Sequence, residues 1–181
     1  PGNYLVKVTD DGGCSKNFPV SLDGPEIISI SSIITNNSCN SQIDANIAIN
    51  VTGGTPSYSY QWLKDGIDYA TTQDIDSLIA DNYELIVTDS LSCVKSSGIL
   101  EIFTPDPLFL NVLSSKNNLC TGANTGSILM EALGGTVPYQ FNIDSGAFGN
   151  TPFFNELTDG VHTITVNDNN NCSADTTITL F

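Results

Sequence analysis

Positively charged residues are scarce in this sequence of 181 residues. Five Lys and Arg stand against 20 Asp and Glu, which gives a formal net charge of -15 at pH 7. Such a surface repels nucleic acid phosphates and anionic lipids, so we expect no nucleic acid partner. No apolar run approaches the roughly 18 residues of a membrane-spanning helix, and we therefore expect no membrane insertion.

The residues that commonly carry catalysis and metal binding are also few. The single histidine, His162, has no repeated Ser or Cys nucleophile beside it, and no Cys-x-x-Cys pair occurs. A nucleophile needs an adjacent base, and a structural zinc site needs closely spaced Cys or His ligands. We therefore predict no enzyme activity, no catalytic residue and no cofactor, and we interpret His162 as a hydrogen-bonded histidine at the edge of a core.

Ser, Thr and Asn are abundant instead, with 56 residues between them. Asn and Ser favour turns and Thr favours strands, which is typical of an extracellular β-rich protein. The first residues, PGNYLVKVTDDGG, lack the basic start and the apolar segment of a signal peptide. We expect the chain to be an internal part of a longer secreted protein.

Alternating apolar residues predict β-strands, whereas helical periodicity is hard to find. Ile47, Ile49 and Val51 alternate with small or polar residues, and turn sequences such as TGGTPS and KDG separate the alternating stretches. We predict strands at 26–34, 43–52, 57–63, 67–71, 74–79, 83–89 and 94–103. This even spacing predicts an all-β immunoglobulin-like (Ig-like) sandwich, with strands named A, B, C, C′, E, F and G in that order.

The sequence repeats with a period of about 80 residues. A shift of 81 superposes Cys39 on Cys120 and the GGT of 53–55 on that of 134–136, and a shift of 79 superposes Cys93 on Cys172. We therefore predict tandem sandwiches: the tail of a truncated repeat at 1–23, a complete repeat at 24–104 and another at 105–181.

The repeated Gly-Gly-Thr loop is interpreted as scaffold. The glycines let the chain turn out of strand B, and the aromatic residues of strand C enter the core. A phosphate-binding loop would instead need a following helix N-terminus or lysine. The predicted core residues recur at matching positions and are Trp62, Tyr60, Tyr83, Leu85, Val87, Ile164 and Val166.

These motifs, in this order, resemble the SprB-type repeat of the giant cell-surface adhesins of gliding Bacteroidetes, and more broadly PKD-type Ig-like modules. The resemblance rests on GGTPSYSYQW, on NYELIVTD and on a cysteine four residues after that aspartate. Cys120 and Gly122 fit the Cys-x-Gly expected ahead of strand B, whereas Ser41 replaces the glycine after Cys39. The tyrosine expected early in strand F is present as Tyr4 and Tyr83 and is His162 in the last repeat.

The five cysteines occupy equivalent positions in successive repeats, which indicates disulfides in an oxidising compartment. One connectivity joins Cys39 to Cys93 and Cys120 to Cys172 within each repeat, which leaves the partner of Cys14 outside the chain. The other is staggered and joins Cys39 to Cys172 between repeats. The A–B and F–G turns of an Ig-like sandwich lie at opposite ends of strands roughly 33 Å long, which favours the staggered connectivity, although both stay open.

An aspartate precedes the F–G turn in every copy, at Asp10, Asp89 and Asp168. The simplest role is a hydrogen bond to the backbone of the turn. The alternative hypothesis is calcium binding between repeats at Asp89 and Asp168. The negative net charge and the sequence NDNNN at 167–171 support it, although no Asp-x-Asp-x-Asp-Gly series of calcium ligands occurs.

Several surface positions are candidates for sugar. Ser77, Ser90 and Thr176 lie in sequences that resemble the O-glycosylation acceptor of Bacteroidetes, and Asn36 and Asn50 begin Asn-x-Ser/Thr sequons. Sugar binding is a separate hypothesis and involves three aromatic residues outside the shared pattern: Phe148, Phe153 and Phe154. They either stack on glycans or pack beneath the connection between strands C′ and E.

We predict a non-enzymatic stalk segment of a secreted cell-surface adhesin or filament. Its partners would be the neighbouring repeats, and possible further partners are surface glycans or other cell-surface proteins. The resemblance implies surface attachment, gliding motility and export by the type IX secretion system. The alternatives are a glycan-binding module and an accessory Ig-like module of a secreted hydrolase.

Overall fold

The computed structural model describes residues 1–120 and 122–181, and the regular structure in these ranges is β. The predicted fold class, tandem Ig-like β-sandwiches, is confirmed. The strands are β1 Gly2–Thr9, β2 Ser15–Leu22, β3 Ser29–Thr35, β4 Ala45–Thr52, β5 Ser59–Lys64, β6 Ile67–Ala70, β7 Ile75–Leu78, β8 Asp81–Thr88, β9 Val94–Ile102, β10 Phe109–Lys116, β11 Gly126–Leu133, β12 Gln140–Ile143, β13 Phe153–Leu157, β14 Gly160–Asn167 and β15 Ser173–Leu180. In the described part of the chain, no helix is long and apolar enough to span a membrane.

The first two strands form an antiparallel hairpin with Gly2 opposite Leu22. Its turn is closed by Asp10, whose Oδ1 accepts a hydrogen bond from the Cys14 amide at 2.9 Å. Tyr4, Val6 and Val8 alternate along β1 and so share one face of the hairpin, yet all three are exposed. The hairpin thus has the pattern of a half-buried strand pair without the residues that would bury it.

The seven strands that follow form two sheets with the Ig-like order. One sheet has the order β3-β4-β7 and the other β6-β5-β8-β9. The alternation that predicted these strands is visible as burial: Tyr83, Leu85 and Val87 of β8 are buried, and the residues between them are less so.

The last six strands repeat this arrangement. Their sheets have the orders β10-β11-β13 and β12-β14-β15. Ile128 and Met130 of β11 form a buried cluster with Ile164 of β14 and Leu180 of β15, and Phe154 packs against it. Because the cluster draws on both sheets, the sheets bury one shared core, as a β-sandwich does.

The chain divides into two compact units. The first comprises Pro1–Ile33, Ala48–Gln73 and Tyr83–Ile99, and the second comprises Ile34–Ile47, Asp74–Asn82 and Leu100–Phe181. The second unit therefore contains the last six strands together with β7 and the loop between β3 and β4. The repeat boundaries proposed from the sequence, at 24–104 and 105–181, stay a prediction.

The predicted core residues are distributed over β5, β8 and β14. Trp62 is 0% exposed, and its indole Nε1 donates a hydrogen bond to the Thr72 carbonyl at 3.0 Å. Tyr83, Leu85, Val87, Ile164 and Val166 are also buried. Tyr60 is only half-buried, because its hydroxyl reaches the Gln73 side chain at 3.3 Å.

Candidate functional site at the repeat junction

The Gly53-Gly54-Thr55 loop fastens the exit of β4 to the segment ahead of β3. The Gly54 amide donates to the Glu26 carbonyl at 2.6 Å, and Gly53 has a positive φ of 72°. A Cβ atom on Gly53 would lie 2.0 Å from the Ile27 carbonyl oxygen. Only glycine combines this backbone conformation with this close approach.

The loop at Gly134-Gly135-Thr136 has the same geometry. The Gly135 amide donates to the Asp106 carbonyl at 2.8 Å, and a Cβ on Gly134 would lie 1.9 Å from the Pro107 carbonyl oxygen. The Tyr139 hydroxyl donates to the Gly134 carbonyl at 2.6 Å, as that of Tyr58 does to Gly53 at 2.5 Å. Each loop is therefore held by a backbone hydrogen bond to the segment ahead of β3 or β10 and by the hydroxyl of the following tyrosine. These contacts fit a scaffold role.

The repeated aspartates clamp these loops to the F–G turns. Asp89 Oδ1 accepts from the amides of Leu91 and Cys93 at 2.9 and 2.8 Å, and its Oδ2 accepts from the Thr55 amide at 2.9 Å. The hydrogen bond from the Thr55 amide is the main cause that lowers the Asp89 pKa below 3.8, against the opposing effect of burial.

Asp168 repeats the clamp on the last F–G turn. It accepts from the amides of Asn170 and Cys172 through Oδ1 and from the Thr136 amide through Oδ2. Both oxygens of Asp89 and Asp168 therefore already accept backbone donors. In the described ranges, no three His, Cys, Asp or Glu side chains gather as a metal site would require. Calcium binding at these aspartates stays a prediction.

A second repeated clamp holds the loops that carry Cys39 and Cys120. Asn37 Oδ1 accepts from the amides of Asp44 and Ala45, and the Asn37 amide donates to the Phe103 carbonyl at 3.2 Å. Asn118 makes the equivalent bonds: its Oδ1 accepts from Thr125 and Gly126, and its amide donates to Phe181 at 3.0 Å. Neither asparagine was among the residues predicted from the sequence, although Asn37 and Asn118 coincide at the 81-residue shift.

Cys39 and Cys172 form a disulfide with a Cα–Cα distance of 5.7 Å. The bond joins the loop between β3 and β4 to the turn between β14 and β15, so it links the two predicted repeats across a sequence separation of 133 residues. This is the staggered connectivity. Cys14, Cys93 and Cys120 are exposed free thiols.

The pairing of cysteines within each repeat does not occur in the structure. In the last repeat the reason is the length of β15. The Asn118 amide bonds to the Phe181 carbonyl, which places the Cys120 loop beside the end of β15, whereas Cys172 precedes its start. Eight residues of strand separate these ends by about 26 Å, far beyond the roughly 7 Å that a disulfide spans.

A cleft of about 310 Å³ surrounds the disulfide. It is lined by Cys39, Asn40, Ser41, Gln42, Pro107, Leu108, Asn171, Cys172 and Ser173. Asn40 donates through Nδ2 to the Pro105 carbonyl at 3.0 Å, and Asn170 donates through Nδ2 to the Ser38 carbonyl at 2.9 Å. The cysteine loop is thus held by polar contacts on both sides of the covalent bond.

The candidate glycosylation positions differ in accessibility. Ser77 and Ser90 are exposed, and the Ser90 hydroxyl donates to the Thr55 carbonyl at 3.0 Å. Thr176 is half-buried within β15. Asn36 and Asn50 are both exposed, and Asn36 Oδ1 accepts from the Phe103 amide. Attachment of sugar at any of them stays a prediction.

His162 is buried and paired at both ring nitrogens. Its Nδ1 lies 2.6 Å from Asp144 Oδ2, and its Nε2 lies 3.0 Å from the Thr158 carbonyl. Burial alone would lower the His162 pKa, but the hydrogen bonds to Thr158 and Asp144 outweigh it and raise the pKa above 6.5. The contacts are those of a hydrogen-bonded histidine at the edge of a core.

The three aromatic residues outside the shared pattern divide between the surface and the core. Phe154 packs against the buried cluster of the last repeat. Phe148 and Phe153 remain 42% and 48% exposed. Only Phe148 and Phe153 are therefore placed to meet a sugar ring, and glycan binding stays a prediction.

The chain is similar to several solved structures. The fibronectin(III)-like modules of Clostridium thermocellum CbhA share 15% identity over 86% of this chain and 93% of theirs, with a TM-score of 0.41. A C-terminal intimin fragment in complex with the translocated intimin receptor shares 15% over 87% of this chain and 64% of its own, with a TM-score of 0.46. The first eight Ig domains of Down Syndrome Cell Adhesion Molecule share 10% over 99% and 28%, with a TM-score of 0.49. Among curated proteins, none matches the chain significantly.

The SprB repeat family model matches the chain twice, at residues 31–66 and 112–148. Each match runs through a cysteine loop, strand B, a Gly-Gly-Thr loop and strand C. The matches begin at the same point of the 81-residue repeat. The predicted resemblance is therefore confirmed: two segments of the chain match the SprB repeat family model.

Proposed function

We propose that this chain is a force-bearing stalk segment of a secreted cell-surface adhesin and has no catalytic role. The observation that carries the proposal is the disulfide between Cys39 and Cys172, which joins the predicted repeat at 24–104 to the predicted repeat at 105–181. A disulfide persists outside the cell, where thiols are not kept reduced, which supports an extracellular location. The resemblance to the SprB repeat adds three elements to this proposal: surface attachment, gliding motility and export by the type IX secretion system.

The disulfide changes the path of a tensile force. Force applied to the two ends of the chain enters at Cys39, crosses the covalent bond and leaves at Cys172. The backbone between them, which includes the core strands β5, β8, β11 and β14, is then outside the covalent path of the force. Unfolding of the residues between Cys39 and Cys172 therefore adds no length to the stalk.

Single-molecule stretching of the chain between its termini tests this function. The disulfide encloses a sequence separation of 133 residues, and each extended residue spans about 3.4 Å. Reduction should therefore release about 450 Å of additional contour length on complete unfolding. The Cys39→Ser/Cys172→Ser variant is the matched control and should show the long contour with and without reductant.

Equal contour lengths for the oxidised and reduced chain would contradict the proposal. They would mean that the two cysteines do not bear load between repeats. A shorter difference, close to that of a loop within one repeat, would contradict it in the same way.

A further inference from the structure

An open cleft lies around the free thiol of Cys93. It has a volume of about 450 Å³ and is lined by Pro25, Glu26, Ile27, Ile28, Gly54, Asp89, Cys93, Val94 and Lys95. Two of its apolar side chains are unusually accessible: Ile27 is 88% exposed and Val94 is 63% exposed. The clamps described above do not require Ile27 and Val94 to be apolar.

This cleft is the counterpart of the one that holds the Cys39 loop. The amide of Gly54 bonds to Glu26 as that of Gly135 bonds to Asp106, so Ile27 and Ile28 correspond to Pro107 and Leu108. The Asp89 clamp on Cys93 likewise corresponds to the Asp168 clamp on Cys172. Around Cys172 these positions hold residues 39–42, and around Cys93 they are open.

We infer that the Cys93 cleft is the binding site for the cysteine loop ahead of strand B of a preceding SprB repeat, and that Cys93 forms a disulfide with the cysteine of that loop. This inference rests on the proposed function and names the partner that the stalk segment binds on its N-terminal side. The occupied cleft around Cys172 supplies the observation that identifies the occupant.

The two clefts differ in polarity, which predicts the kind of loop that each accepts. Two polar positions around Cys172 become apolar around Cys93: Asn170 is replaced by Leu91 and Ser173 by Val94. At a third position Pro107 is replaced by the larger Ile27. The occupant around Cys172 has Ser38 before its cysteine, whereas the free loop at Cys120 has Leu119, which is 73% exposed. The Cys93 cleft therefore fits a loop with an apolar residue before its cysteine, of which Leu119–Cys120 is the example in this chain.

The covalent step is a thiol–disulfide exchange with a small-molecule disulfide such as oxidised glutathione. One protein thiolate attacks a sulfur of glutathione disulfide and releases one glutathione. The second protein thiolate then attacks the mixed disulfide and releases the other. Two protein thiols are oxidised to one disulfide, one glutathione disulfide is reduced to two glutathiones, and the two protons of the protein thiols end on the two glutathione thiols.

A chain extended at its N-terminal side tests the inference directly. In the extended chain a second copy of residues 105–181 replaces residues 1–23. These residues form two sheets and a buried cluster of their own, so the added copy has what it needs to fold. After oxidation by a glutathione buffer, non-reducing peptide mapping should find Cys120 of the added copy linked to Cys93. Cys120 of the original copy has no following repeat and should stay a thiol, which makes it the internal control.

The cleft itself is tested with Ile27→Asp in the extended chain. A carboxylate in the buried interface lowers the linked fraction of Cys93 at a fixed glutathione ratio by about tenfold. Lys116→Asp in the original copy only, on the exposed strand β10, serves as the charge control, because the Cys120 loop beside it has no following repeat in the extended chain; it should leave the linked fraction unchanged.

Two outcomes would overturn the inference. In the first, Cys93 and the added Cys120 remain thiols while Cys39 and Cys172 are linked, and the stalk function then stands without a second staple. In the second, both Cys120 residues react with Cys93 equally. If the added copy fails to fold, a peptide of residues 115–126 carried as a mixed disulfide should still exchange with Cys93 faster than with Cys14 in the original chain, and equal rates would overturn the inference.

Discussion

Gly134→Ala should destabilise the chain by about 4 kcal/mol, the upper range for a single substitution. The new Cβ atom would lie 1.9 Å from the Pro107 carbonyl oxygen, a distance that requires the backbone to move. Such a shift would also strain the Gly135 bond to Asp106 and the Thr136 bond to Asp168. Urea denaturation of the oxidised chain measures the loss of unfolding free energy.

Gly122→Ala separates this clash from the cost of the backbone angle. Gly122 has a positive φ of 79°, like the 75° of Gly134, but a Cβ there would meet nothing within 4 Å. Its substitution should cost only about 1 kcal/mol, since only the left-handed conformation is penalised. Gly53→Ala and Gly66→Ala form the corresponding pair in the preceding repeat. Equal losses of unfolding free energy in Gly134→Ala and Gly122→Ala would show that the close approach of Gly134 to the Pro107 carbonyl does not contribute to the requirement for glycine.

Trp62→Ala should cost about 4 to 5 kcal/mol. The side chain is 0% exposed, and its ring is replaced by a cavity that the flanking strands β6 and β8 cannot close. The Thr72 carbonyl also loses the indole donor that reaches it at 3.0 Å. Because Trp62 is the only tryptophan, unfolding should be followed by circular dichroism rather than by tryptophan fluorescence.

Tyr60→Ala is the matched control on the same strand. Tyr60 is half-buried and ends in a hydrogen bond to an exposed part of Gln73, so its removal should cost no more than about 2 kcal/mol. If both variants lose the same free energy, Trp62 does not anchor the core of this repeat.

The strands were predictable because their burial follows their alternation. Seven strands predicted within the middle repeat correspond to β3 through β9, with ends that differ by three residues or fewer. Ile47, Ile49 and Val51 illustrate the reason: a period of two puts one set of side chains on one face of a sheet. The Gly-Gly-Thr loops were predictable as turns, but their contact with the Ile27 and Pro107 carbonyls was not, because it depends on where a distant segment passes.

The polar contacts of the junction could not be derived from spacing alone. Asn37 and Asn118 coincide in the repeat, yet the carbonyls that accept from their amides, at Phe103 after β9 and at Phe181 after β15, lie more than 60 residues away. The carboxylate partner of His162, Asp144, similarly lies in a turn whose position depends on the pairing of β12 with β14. The disulfide posed the same difficulty, since the two connectivities use the same cysteines and differ only in the placement of whole strands.

Non-reducing peptide mapping of the natively secreted protein tests the central claim most directly. We expect Cys39 to be recovered in a peptide pair with Cys172, the bond that joins the predicted repeat at 24–104 to the predicted repeat at 105–181. Pairs that join Cys39 to Cys93 and Cys120 to Cys172 would contradict it, because each repeat would then be closed on itself and a pulled stalk would lengthen whenever a repeat unfolded.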